Sequence, residues 1–226
     1  MNYGILLAEL GFSEALIAAH EGKLPVPRFT LAAPSRRHYG FPPIMVPIWS
    51  IPGLPGYIGV VTSWFGGDEY GYIKYYSGEP YASEIAKSFK QLAAWLTFDF
   101  HCNVPDPAEV GEFAEAIGLC KKDEVDQYFV DIQSKNDLVK LPVFAADLPN
   151  YLGKGEENSC PNWVVPNVSS AEVFSQIEGG NYHLAWCGIN SPGLEREEIV
   201  QLLDKIAPFA EDDRFADLVK CWKLSA

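Results

Sequence analysis

The sequence predicts an α+β fold, and three observations carry that prediction. Two runs rich in aromatic and β-branched residues, Tyr57–Phe65 and Tyr70–Tyr76, flank a glycine turn and read as an antiparallel hairpin. An apolar row at helical spacing follows, through Ile85, Phe89, Leu92, Ala93 and Leu96. Beyond residue 100 the pattern is mostly helical. The expected architecture is a mostly antiparallel or mixed sheet packed by helices, with a largely helical C-terminal half. Residues 1–104 are expected to form the α+β part and residues 105–226 a mainly helical extension packed on it, with a single domain as the alternative.

Taken in order, Leu6, Leu7, Leu10, Ala15 and Ile17 predict helix over residues 3–19, with Gly11 dividing it. Residues 23–56 hold eight prolines, among them Pro42, Pro43, Pro47 and Pro52. Proline fixes φ and donates no backbone hydrogen bond, which disfavours a long helix or a central strand. Irregular ordered chain is expected there, with one short strand near Ile44–Trp49 and a basic cluster at Arg36, Arg37 and His38. Gly66-Gly67-Asp68-Glu69 and Ser77-Gly78-Glu79-Pro80 are expected turns on either side of the second hairpin strand. Ser83 is expected to cap the next helix, with Glu84 in its first turn where the dipole favours an anion. Phe89 then lies in the buried row, and Lys87, Lys90 and Gln91 face water.

In the C-terminal half, Asp106-Pro107-Ala108-Glu109 starts a helix: a cap, proline at the first position, then an acid. Val110, Phe113, Ala114 and Ile117 follow at helical spacing, and Gly118 ends the run. Val125, Tyr128, Phe129 and Ile132 mark a further helix, and residues 141–168 read as loop. Ser169-Ser170-Ala171-Glu172 is a capping box before Val173, Phe174 and Ile177, and Gly179-Gly180 stops that helix. His183–Cys187 reads equally as a short strand or as a helix turn, and two last helices are expected at Glu195–Ala207 and Asp212–Trp222.

The block Tyr70-Gly71-Tyr72-Ile73-Lys74-Tyr75-Tyr76, followed by Ile85-Ala86-Lys87-Ser88-Phe89-Lys90-Gln91-Leu92, resembles the SUKH superfamily. That family has an aromatic strand followed by a helix of the form iA-x-SF-x-x-Fl, which Ala86, Ser88 and Phe89 match, with Leu92 in place of an aromatic residue. The resemblance spans residues 57–100 and lacks the family's Asn-Gly-Gly element. It implies an α+β domain that works by binding. Many bacterial members neutralise secreted toxins, often nucleases, and others act as regulatory adaptors; the resemblance carries no catalytic residues to this chain.

The net charge of −13 is concentrated in residues 101–180, which hold 14 acids and five bases. Such a field repels nucleic acid and anionic membranes and speeds encounter with a basic partner. The densest acids are Glu109, Glu112, Glu115, Asp123, Glu124 and Asp126. They are the expected partner-binding residues, a docking surface for a basic protein. Solvated helix faces are the plainer account of the same residues, and acid/base chemistry would need a cleft.

The five cysteines are odd in number and lack CxxC spacing, which argues against a disulfide framework and a structural zinc site. Met1–Leu10 has no basic n-region and contains Glu9, so a secretory signal is not expected, and no run approaches the ~20 apolar residues of a membrane helix. The expected compartment is a reducing cytoplasm. No GxSxG, HExxH or GxGxxG occurs, and no cofactor or metal is expected. His20 is expected to be solvated near a helix end. His183 and Cys187 would meet on one helix turn, but a strand, on which they would stand roughly 13 Å apart, is an equal reading. The expected function is therefore that of a non-catalytic binding protein and, in the form the resemblance implies, an immunity protein against a basic, nuclease-like toxin. The alternatives are a regulatory adaptor or scaffold, or an enzyme using the Cys/His pair or a carboxylate cluster.

Overall fold

Asn2 and Ser13 each open a short helix, accepting from the Ile5 and Leu16 amides, and so fix α1 (Tyr3–Glu9) and α2 (Glu14–His20). Gly11, at φ 80°, turns the chain between them, as its position predicts. The structure is a computed structural model that describes residues 2–34, 40–62, 64–66, 71–77, 82–154 and 167–225. The Arg36–His38 cluster, Gly67-Asp68-Glu69 and Gly78-Glu79-Pro80 lie outside the described residues.

The proline-rich stretch yields one strand, β1 (Met45–Ile51), where a strand was expected. Pro47 is tolerated because β1 is the sheet's edge and its register slips between Pro47 and Trp49, where no ladder donor is needed. With β2 (Gly56–Val61), β3 (Gly71–Tyr76) and β4 (Ala82–Ala86) it forms a four-stranded antiparallel sheet in the order β1-β2-β3-β4. The expected hairpin is the β2–β3 pair, with Val60 opposite Tyr72 and Ile58 opposite Lys74. β2 ends at Val61, because Trp64 and Phe65 turn away to pack on Trp186 and Phe215.

Ser83 does not cap a helix. Residues 82–86 pair with β3 as a strand, and α3 (Phe89–Asn103) starts five residues later than expected, at a cap formed by Ser88. Ser88 accepts from the Gln91 amide, and Gln91 Oε1 accepts from the Lys87 amide at 2.7 Å. Gln91 is therefore buried rather than wet, donating through Nε2 to the carbonyls of Val143 and Asp147. Glu84 is buried in the strand and paired with Lys87 at 2.7 Å. Phe89, in the first turn, is half-buried against Tyr72; Leu92, Ala93 and Leu96 form the hidden row.

Asp106 caps α4 (Pro107–Ala116) as its sequence predicts, accepting from the Ala108 amide. The expected helix at residues 125–132 is a single turn, α5 (Val125–Tyr128). The stretch expected as loop contains 3-10 turns at Lys135–Lys140 and Pro142–Phe144 and a short α6 (Asn150–Lys154). Ser169 and Glu172 form the predicted capping box of α7 (Ser170–Glu178). Of the two readings of His183–Cys187, the helical one holds: the segment lies in α8 (Tyr182–Ile189), whose Ala185, Trp186 and Ile189 are buried and whose Gly188 backs onto Val173 of α7. α9 (Arg196–Ile206) and α10 (Arg214–Leu224) complete the chain.

The buried side chains form one contiguous cluster from Tyr3 to Trp222. Two polar bonds cross it. Asn190 Oδ1 accepts from the Ile44 amide at 2.6 Å, and Trp222 Nε1 donates to the Phe41 carbonyl at 2.8 Å. Trp49 of β1 packs on Phe113 of α4, placing the acidic helix directly against the sheet. Among the described residues, no helix is long and apolar enough to cross a membrane.

Candidate interaction surface

α4 exists because Val110, Phe113 and Ala114 bury one side of it, and helical periodicity then forces Glu112 and Glu115 outward. Gly111 brings the next turn close: a Cβ there would lie 2.5 Å from the Lys122 carbonyl. Glu112 and Asp123 are therefore chain neighbours of a contacting pair. Asp123, Glu124 and Asp126 are all exposed, on that turn and on α5.

The six predicted acids do not share one fate. Glu109 is held inside the molecule's own bonding: its Oε2 accepts from the Arg28 amide at 2.8 Å and its Oε1 pairs with Arg28 Nε at 3.1 Å. Glu124 pairs with Lys121 at 3.5 Å in the open, and Asp126 stands 3.8 Å from His101 Nδ1. Among the described residues, Glu112, Glu115 and Asp123 have no ion-pair partner. Glu109 thus organises the surface, and the other five present charge to solvent.

Sequence reasoning missed what Glu109 organises. Residues 27–30 form a tight turn, with Thr30 bonding back to the Pro27 carbonyl through both its amide and its hydroxyl. Phe29 occupies the third position at φ 64°, a left-handed conformation that suits glycine, and the residue is 93% exposed. The bidentate Arg28–Glu109 contact ties this turn to α4 across 81 positions of sequence. No local pattern in the sequence signals a phenylalanine at a glycine-type position.

The Cys/His pair comes together because the segment is helical. Cys187 Sγ is 3.8 Å from His183 Nε2, and His183 Nδ1 is 3.0 Å from the Gly66 carbonyl. A proton on Nδ1, donated to Gly66, leaves Nε2 with its lone pair toward the sulfur. Cys187 is only 3% exposed, however, and burial pushes its thiol pKa up, so the sulfur is held as a neutral thiol. His20 is not solvated as expected: it is half-buried, with Nδ1 2.7 Å from the Pro47 carbonyl. Among the described residues, no group of three His, Cys, Asp or Glu side chains is arranged to hold a metal ion.

No family model, curated protein or solved structure significantly matches this chain.

Proposed function

We propose that this chain is a non-catalytic protein-binding domain that engages a basic partner through Phe29 and the exposed acids of α4 and α5. The SUKH resemblance gives this reading its specific form: an immunity protein that covers the active surface of a basic, nuclease-like toxin. The observation that carries the reading is Phe29. A large aromatic side chain stands in water, in a backbone conformation costing about 1–2 kcal/mol, and is fastened to an acidic helix. Strain held in place by its surroundings points to use rather than to packing. Buried aromatic anchors ringed by charge are the usual energetic centres of protein interfaces, and the acids would set the encounter rate.

The test is titration against the protein encoded beside this one where that neighbour resembles a toxin, repeated across salt concentrations. The expected result is binding that weakens with salt, slower association for Glu112→Lys with Glu115→Lys, and a loss of about 2 kcal/mol for Phe29→Ala. Absence of binding, or binding indifferent to salt and to all three substitutions, overturns the reading.

The Cys187–His183 contact is the observation that favours an enzyme instead. A nucleophilic role requires a thiol that loses its proton near neutrality and that substrate can reach. Alkylation of Cys187 by iodoacetamide at pH 7, faster than that of exposed Cys102 and abolished in His183→Gln, would establish that rival.

A further inference from the structure

Trp95 of α3 is 2% exposed, and among the described residues its Nε1–H has no acceptor. Two ammonium groups approach the same indole. Lys135 Nζ is 4.5 Å from the ring centre and Lys74 Nζ, from β3, is 5.9 Å away. Lys135 is already compensated, since it pairs with Asp99 Oδ1 at 2.5 Å. Lys74 is half-buried and, among the described residues, touches no carboxylate; its contacts are the faces of Trp95 and Tyr76. Among the described residues, the charged groups at the indole are therefore two cations and one anion, a local excess of one positive charge in a strongly acidic protein.

A buried N–H without an acceptor and a half-buried ammonium without a counter-charge both carry a cost. The cation–π contacts offset part of the second. A water molecule could accept from the indole, but it would leave the charge of Lys74 uncompensated. One ligand class meets both needs: an oxyanion, with one oxygen accepting from Trp95 Nε1–H and another facing Lys74 Nζ. We propose that the Lys74–Trp95 junction between β3 and α3 is a binding site for a small oxyanion, a carboxylate or a phosphate. The inference is independent of the docking surface on α4 and α5.

The test uses the intact protein with 15N-labelled tryptophan indoles, titrated with sodium phosphate, sodium acetate and sodium chloride at constant ionic strength. The resonance missing from Trp95→Phe identifies the Trp95 indole among the six tryptophans. The expected result is a saturable downfield shift of that proton in phosphate, acetate or both, with little movement in chloride. Response to one oxyanion alone supports the site and names its preference. In Lys74→Met, the affinity falls by about tenfold or more while the other five indole signals stay in place. An indole that no oxyanion moves, one that chloride moves equally, or a shift that survives in folded Lys74→Met overturns the proposal. The wild-type titrations decide the matter even if Lys74→Met does not fold.

Discussion

At the scale of single residues, two side chains sit where local rules disfavour them. Phe29 holds a left-handed φ of 64° with its ring in water. Replacing it with glycine removes the conformational strain and loses almost no packing. Phe29→Gly is therefore expected to stabilise the fold by up to about 1 kcal/mol in urea unfolding, less the extra chain entropy glycine brings to the unfolded state, while weakening partner binding. A destabilised variant would show that the ring is a packing residue. His20 is the second case. Its Nδ1 lies 2.7 Å from the Pro47 carbonyl, and burial lowers its pKa below the ordinary 6.5, with that hydrogen bond and nearby Glu21 opposing. The folded state thus binds the second imidazole proton less readily than the unfolded chain does. His20 stabilises the protein fully above pH 6.5, and that contribution declines as pH falls toward and through the lowered folded value. The depressed carboxylates act lower: Asp137, held at about 2 chiefly by Lys140 and Ser134, loses its contribution as pH falls from the ordinary 3.8 through about 2. Urea midpoints measured between pH 7.5 and about 5 should fall for wild type and lie flatter for His20→Asn, provided that variant folds. Parallel profiles would remove His20 from the acid response.

At the scale of elements, what was legible in the sequence was local, and what was not depended on distant partners. The starts at Asp106 and Ser169 were readable because a cap and its amide lie within three residues. β4 was not, because Ala82-Ser83-Glu84-Ile85-Ala86 holds one β-branched residue and becomes a strand only by pairing with β3. The usable signal was Ser88-Phe89-Lys90-Gln91, whose serine and glutamine stand three apart, as in a capping box. Ser88→Ala is accordingly expected to cost about 1 kcal/mol. Gln91→Leu should cost more, about 2 kcal/mol or above, since it strips bonds from Lys87, Val143 and Asp147 at a buried site. Equal effects in chemical denaturation would mean that Gln91 is only a cap. The candidate surface divides in the same way. The acid row was visible as composition, whereas the Arg28–Glu109 bond that presents Phe29 spans 81 positions and leaves no local trace.

At the scale of the whole molecule, the sheet and the late helices share polar bonds that neither half can satisfy alone. The Ile44 amide at the head of β1 is buried and donates to Asn190 Oδ1, the residue that caps α8; Asn190 Nδ2 in turn donates to the Trp186 carbonyl. Trp186 packs on Phe65 and Phe215, so the same bond connects the chain leaving β2 with α10. From the other side Trp222 donates to Phe41, whose ring lies on Tyr57 of β2. An apolar residue at 190 keeps the volume but leaves the Ile44 amide buried without its acceptor, which costs about 1–3 kcal/mol. Because the core is one contiguous cluster, that loss should reach both halves. In Asn190→Leu, native-state hydrogen exchange should speed up by a similar factor for the slowest amides of β2 and β3 and for those of α7 and α10. If only the helical amides were affected, the sheet would open independently, and residues 105–226 would be a separable unit docked on it.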